Sequence, residues 1–290
     1  VNGGFFKIGG DFDGDPLGVL KIGLNWYSGS SLPRGAVGWN QVRGLFRIDR
    51  LSTAWKIQTP LGVFPIDGLN QGLRSDSLVF YTDKFGGIVP RGAGAYLRIE
   101  NDRILEIINH SDIEHSDSEE RISEPVIAVG KKSNFPVKDL KPNDPVLILH
   151  EFDGWDNRRF NHSGWDDMEY IVGGAPVLIQ AGNPVTDYTA EKVEHTFVTK
   201  KHPRTALCVL SDEAWVFVVV DGRRPKYSIG MTLAELTVYL IEMGCQDALN
   251  LDGGGSSTIF YEDKVRNIPA DPLGERPVSD AILVLEKEGP

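Results

Sequence analysis

Cysteine is scarce in this chain: Cys208 and Cys245 are the only two in 290 residues. So few exclude a disulfide framework and a cysteine-rich zinc site. One bridge between them stays open, but each stands in an apolar context, and two buried free thiols are the expected state. Long apolar runs are absent too, since none reaches the ~18 to 20 residues that a membrane helix needs. Positive charge is in short supply. Thirty Lys and Arg stand against 41 Asp and Glu, a net charge of −11. An acidic surface repels nucleic-acid phosphates, so no nucleic-acid partner is expected. Any anionic substrate must be held by local arginines. The histidines have no ligand spacing, so no zinc site is evident. No signal peptide opens the sequence either. It starts at Val1-Asn2-Gly3-Gly4-Phe5-Phe6, which reads like the middle of a strand and turn, and upstream sequence is expected to precede it.

What is present is ordinary for a globular protein: 41% hydrophobic and 24% charged residues. Short β-type runs recur between glycine and proline punctuation, at 126–129, 146–149, 176–179, 206–210, 215–220 and 281–285. They are nearly continuous apolar stretches, the pattern of strands buried on both faces. One helix is clear. Thr232 and Glu235 form a capping box, Leu233, Leu236, Leu240 and Met243 follow at helical spacing, and Gly244 is the expected stop. Strand 215–220, this helix and a strand at 248–251 read as a βαβ unit. That places Asp221 and Asp252 at the carboxyl ends of their strands, where α/β sheets bind ligands. The expected architecture is a single α/β or α+β domain over 1–290, with a mixed sheet flanked by helices. In the segment 152–168, Trp155 and Trp165 offer either sugar-stacking faces or half-buried loop anchors, the commoner case.

The most informative segment is Asn250-Leu251-Asp252-Gly253-Gly254-Gly255-Ser256-Ser257. An apolar approach delivers one carboxylate to a three-glycine turn, followed by two hydroxyls. Consecutive glycines are costly in a core and useful where backbone must approach a ligand closely. Backbone N–H groups turned toward an anionic oxygen would suit a phosphate. A nucleotide P-loop is excluded, because no Gly-Lys-Ser/Thr ending follows, and no G-x-G-x-x-G opens a helix. A plain tight turn, with the Asp capping its own backbone, is the alternative.

Four other segments share this character: Asn2–Phe6, Gly173–Pro176, Pro203-Arg204-Thr205, and Asp221-Gly222-Arg223 with 228–233 after it. Together with Asn250–Ser257, and with the tail Asn267-Ile268-Pro269 and Arg276-Pro277-Val278, they resemble the phosphodiester glycosidase family in order and spacing. The likeness is densest over about 171–285, with the Asn-Gly-Gly-Phe-Phe box as a distant anchor; little in 20–165 resembles it.

The resemblance implies hydrolysis of a sugar-1-phosphodiester at the anomeric C–O bond, outside the cytoplasm, with no required cofactor. Arg204 and Arg223 are then the candidates for neutralising phosphate charge, because a guanidinium fork is always charged. Gly253, Gly254, Gly255, Ser256 and Ser257 complete a cradle. Asp252, and second to it Asp221, is the carboxylate expected near the anomeric carbon, as nucleophile or as base for water. Asn2, Gly3, Gly4, Thr205 and Asn250 are expected to bind sugar hydroxyls or to hold the loops. A hard cation on Asp252 or Asp221 is conceivable beside a phosphate.

Taken singly, each feature has a plainer explanation. Arg204 could simply pair with Asp221 or Asp252, Asp221-Gly222 is an ordinary turn signal, and His202 is a solitary loop histidine. Two other functions also fit the residues: metal-dependent phosphodiester cleavage at P–O, and a glycan- or teichoic-acid-binding module without catalysis.

Overall fold

A computed structural model of the chain describes residues 1–87, 92–109, 124–154 and 164–286. They form two compact units. One comprises Val1–Leu20, Leu32–Leu51 and Gly154–Pro290, and the other Lys21–Ser31 and Ser52–Asp153.

The second unit is built from strands. Ala93–Glu100 pairs antiparallel with Arg103–Asn109 on one side and with Val126–Gly130 on the other, and Val126–Gly130 pairs in turn with Leu78–Tyr81. Ile57, Leu97, Ile104 and Ile127 are wholly buried or nearly so in its core, with Trp55, Phe80 and Phe135 around them. Each strand supplies alternate residues to that core, as the two-residue period of a strand requires.

The first unit contains the sheet that matters for function. Its strands are β1 (Val177–Gln180), β2 (Asn183–Pro184), β3 (Arg204–Leu210), β4 (Trp215–Val220) and β5 (Cys245–Asn250), in the spatial order β2-β1-β5-β3-β4. Neighbours are antiparallel throughout. Helix α1 (His195–Thr199) precedes β3, and helix α2 (Leu233–Glu242) joins β4 to β5. Because β3 lies between β4 and β5 and opposes both, those two strands run parallel, as a split β-α-β. Asp221 and Asp252 therefore follow strand ends on the same side of the sheet.

Helix α2 forms where the sequence places it. The Thr232 hydroxyl accepts the Glu235 N–H at 3.1 Å, and the Glu235 carboxylate accepts the Thr232 N–H at 2.9 Å. Leu233, Leu236 and Leu240 are fully buried against Leu178, Ile179, Ala206, Cys208 and Ala248 of the sheet. Gly244 closes the helix at φ +89°, a left-handed position suited to glycine. Met243 is 37% exposed and contributes little to that face.

Several expectations need correction. The chain does not build a mixed sheet flanked by helices; the described residues are mostly strand, in curled antiparallel sheets, with two α-helices. The runs 126–129, 177–179 and 206–209 are buried throughout, whereas Leu147 is 45% exposed; α2 covers only one face of its sheet. On the other face, strand Arg34–Asn40 packs so closely that a Cβ on Gly35 would lie 2.5 Å from Leu249 and 3.2 Å from Val177. Sheet, not helix, supplies the second layer. β4 lies at the sheet edge and is only half-buried along its length. The run 281–285 is not a strand: Ala281 makes an isolated bridge to Asn2, while Leu283, Val284 and Leu285 are exposed. The cysteines are bonded, Cys208 of β3 to Cys245 at the start of β5. In the register Cys208 faces Ala248 and Cys245 faces Leu210, and a register shift at Val209/Leu210 leaves the two cysteine Cα atoms 5.6 Å apart, within bridging distance; that register was not legible in the spacing. Trp165 is an anchor, 2% exposed, packed on Gly38 with the Arg47 guanidinium over its ring. Trp155 and most of the polar segment 110–124 lie outside the described residues.

Candidate active site

The glycine turn begins at Asp252, directly after β5, and is held from two directions. From the N-terminal box, the Asn2 side chain donates to the Asp252 carbonyl at 2.8 Å, and the Asp252 N–H donates to the Gly3 carbonyl at 3.1 Å. The Asn2 Oδ1 accepts from the Thr205 hydroxyl at 2.9 Å and from the Thr258 N–H at 3.1 Å. Both polar atoms of a buried Asn2 are thus spent on protein partners, as is the Thr205 hydroxyl. Asn250 is also wholly buried, donating to the Ala175 and Leu251 carbonyls at 2.7 and 2.8 Å. These hydrogen bonds fix the shape of the loop.

Two of the three glycine N–H groups have partners within the protein. The Gly253 N–H donates to Asp252 Oδ1 at 2.8 Å, and the Gly254 N–H to the Pro203 carbonyl at 2.9 Å. What the missing side chains permit is the approach of two arginines. A Cβ on Gly254 would stand 2.9 Å from the Arg223 guanidinium, and one on Gly255 would collide with that of Arg276. The Arg276 Nε is fixed by Asp271 at 2.9 Å, which aims the rest of its fork across the turn. Arg223 itself holds φ +57°, an uncommon backbone state for a side chain of this size.

Arg204 is elsewhere in this scheme. Its guanidinium is fully buried, donating from Nε to the Met231 carbonyl at 2.9 Å and from Nη2 to the Phe197 and Lys200 carbonyls at 2.7 and 3.1 Å. It lies over the Phe197 ring, and burial pulls its pKa down to about 10. It ties α1, β3 and the approach to α2 together. Asp221 likewise serves structure: its Oδ1 accepts from the Asn267 side chain and the Ile268 N–H at 3.1 and 2.9 Å, pinning the tail loop. His202 is half-buried on the rim, held below its ordinary pKa by burial and then by Arg204 and Arg223.

Two carboxylates converge at the turn. Burial pushes the Asp252 carboxyl up, opposed by Ser256, the Gly253 N–H and Arg276, and reinforced by the charge of Asp280. Asp280 is pushed up by the same cause. It accepts the Gly4 N–H at 2.9 Å and crowds Gly3 so closely that no side chain fits there. Gly3 and Gly4 thus bridge the two acids, Gly3 to the Asp252 backbone and Gly4 to the Asp280 side chain. The hydroxyls of Ser256, Ser257 and Thr258 are buried beside them without a hydrogen bond of full geometry.

Sequence reasoning missed Asp280 and passed over Asp271. Asp271 opens a separate turn closed by Gly274, and Asp280 reaches the glycine turn only through contacts with the distant N-terminus. Arg276 stood in a matched motif without an assigned role. Among the described residues, no three His, Cys, Asp or Glu are grouped as metal ligands.

Known proteins share the sequence and fold of this chain to differing extents. Over 96 residues the chain is 36% identical to the SPbeta prophage-derived protein YomE of Bacillus subtilis, covering 33% of this chain and 15% of that one. An uncharacterized Rickettsia conorii protein is 26% identical over 225 residues, 76% of this chain and 74% of its own length. A crystal structure of a Synechocystis hypothetical protein shares the fold at TM-score 0.76 and 23% identity, over 96% of this chain. A Burkholderia pseudomallei protein does so at TM-score 0.74 and 19% identity, again over 96% of this chain. The chain spans 49% and 64% of those two structures. The phosphodiester glycosidase family model matches residues 107–285, more than half of the sequence and nearly all of the site, and the chain belongs to that family.

Proposed function

We propose that the protein hydrolyses glycosyl 1-phosphodiesters at the anomeric C–O bond, releasing free sugar and leaving the phosphate on its other substituent. The observation that carries this reading is a glycine turn that packs the Arg223 guanidinium against Gly254 and the Arg276 guanidinium against Gly255, directly after an Asp252 carboxylate that feels the charge of Arg276. A phosphate ester is a good leaving group, so catalysis depends on receiving its charge. Two guanidinium forks do this without being deprotonated. Asp252 stands where a glycosidase needs a carboxylate to stabilise or capture an oxocarbenium-like centre.

Roles are redistributed relative to the sequence expectation. Arg276 replaces Arg204 as the second phosphate ligand, and Arg204 positions the loops. Asn2, Thr205 and Asn250 hold the turn. Action outside the cytoplasm is supported by the Cys208–Cys245 bridge, since such bonds persist in oxidising compartments. No helix among the described residues is long and apolar enough to cross a membrane.

The test is a product assay with and without chelator. The substrates are UDP-GlcNAc, other sugar nucleotides and plain aryl glycosides. Free sugar from phosphodiesters alone, undiminished by chelator, is expected. Sugar phosphate as product would assign P–O cleavage instead, and binding without turnover would make the protein a glycan-recognition module.

A further inference from the structure

The turn after β4 concentrates positive charge beside the site, in a chain whose net charge is −11. Arg223, Arg224 and Lys226 follow one another with only Pro225 between them, and all are exposed. The turn is held in shape from within. The Arg224 N–H donates to the Ser228 carbonyl at 2.9 Å, and the Ser228 and Tyr227 N–H groups both return to the Arg224 carbonyl at 2.8 Å. At its base the Ser228 hydroxyl donates to the Asp221 carbonyl at 2.5 Å. Gly222 and Gly230 press against Pro203 and His202 so closely that a Cβ on either would collide.

Contacts at both sides of the turn fix where its arginines stand. The Arg223 guanidinium packs against Gly254 of the glycine turn, and the Arg224 Nη2 donates to the Pro269 carbonyl at 3.1 Å. Lys226 is carried on the same closed turn. The acids next to these segments are engaged elsewhere. Asp221, just before the turn, gives its Oδ1 to Asn267 and Ile268, and Asp271, just after Pro269, holds the Arg276 Nε. Among the described residues, none of Arg223, Arg224 and Lys226 enters an ion pair.

A phosphodiester carries a single negative charge, which Arg223 and Arg276 at the glycine turn already answer. Arg224 and Lys226 are positive charge in excess of it. We propose that they form a subsite for a second phosphate of the substrate, on the side of the scissile phosphate away from the sugar. The substrate is then a glycosyl phosphodiester whose other substituent is itself phosphorylated. This rests on the hydrolytic reading above and names which phosphodiesters the site selects. Against an acidic surface a dianionic substrate is repelled overall, so its affinity depends on such a local cluster.

The test compares methyl GlcNAc 1-phosphate, UDP-GlcNAc and GlcNAc 1-phosphoglycerol 3-phosphate on the intact chain. At low salt, kcat/KM should be about fivefold or more higher for the two substrates with a second phosphate, mainly through KM. The preference should shrink as salt rises, because exposed charges are screened. The better of the two separates an adjacent diphosphate from a spaced phosphodiester chain, and the glycerol compound controls for uridine. Lys226→Gln should lower the ratio to the methyl ester about fivefold, and Lys226→Glu should lower it further. Lys226 makes no hydrogen bond or ion pair among the described residues, so the thermal unfolding of both variants should match wild type. Arg224→Gln should lower the ratio in the same sense. No preference in wild type, or a ratio unmoved by both Lys226 changes, would overturn the subsite. If none of the substrates is hydrolysed, the hydrolytic reading fails on its own, and calorimetric binding of the same compounds decides the subsite. Tighter binding of the doubly phosphorylated ones that Lys226→Glu abolishes would keep it, and equal binding would remove it.

Discussion

The Asn2 side chain donates a 2.8 Å hydrogen bond to the backbone carbonyl of Asp252, joining residues 250 positions apart. Its other amide atom accepts from Thr205 and from the Thr258 N–H. Residues at the N-terminal box therefore set the shape of the glycine turn.

Asn2→Ala should lower stability by about 2 kcal/mol, since it strands buried donors and the Asp252 carbonyl together. Activity should fall in step with the loosening of the turn. Urea unfolding alongside kcat and KM checks this. A variant of unchanged stability that has lost only substrate affinity would instead place Asn2 against the sugar.

Asp252→Asn should abolish turnover while stabilising the protein at neutral pH. Burial raises the Asp252 carboxyl above its ordinary 3.8, so the folded state holds a proton that the unfolded chain has released. Wild-type stability is therefore highest below that value and declines as pH rises through the folded-state pKa. The amide removes this loss. Its advantage should be full at pH 7 and vanish near pH 3, which thermal unfolding across that range would reveal. Asp280→Asn should behave alike, because the same cause raises its pKa.

The helix, the glycine turn and the strands of the sheet around β3 were legible in the sequence because they rest on local chemistry, whereas strands such as Arg34–Asn40 and Ala93–Glu100 were not read. Thr232 and Glu235 lie three residues apart, and Asp252 adjoins its glycines. The layer opposite α2 was not legible. An apolar run such as 206–210 reports burial on both sides, but not whether helix or sheet does the covering. Asp280 was hidden for a related reason. It meets Gly4 across 276 positions of sequence, and nothing in Ser279-Asp280-Ala281 signals that encounter.

Arg204→Gln should act on the fold first. The guanidinium satisfies the Met231, Phe197 and Lys200 carbonyls, and its loss should cost about 3 kcal/mol or more. Arg276→Gln should leave stability nearly unchanged and reduce kcat/KM for phosphodiesters by about 10² or more. Thermal unfolding and kinetics on both variants separate the two arginines. Equal destabilisation by the two would contradict the division of roles.

Reducing the Cys208–Cys245 bond should lower stability by about 4 kcal/mol on a chain-entropy argument, given its sequence separation of 37. The site residues make no use of the sulfurs, so activity well below the melting temperature should survive. Unfolding and turnover with and without dithiothreitol check both halves.

The most direct test of the central reading is hydrolysis of UDP-GlcNAc in ¹⁸O-water, with mass spectrometry of the released nucleotide. Cleavage at the anomeric carbon leaves the nucleotide phosphate free of label and sends the heavy oxygen to the sugar. A labelled phosphate would mean attack at phosphorus, and the catalytic roles of Asp252, Arg223 and Arg276 would have to be abandoned.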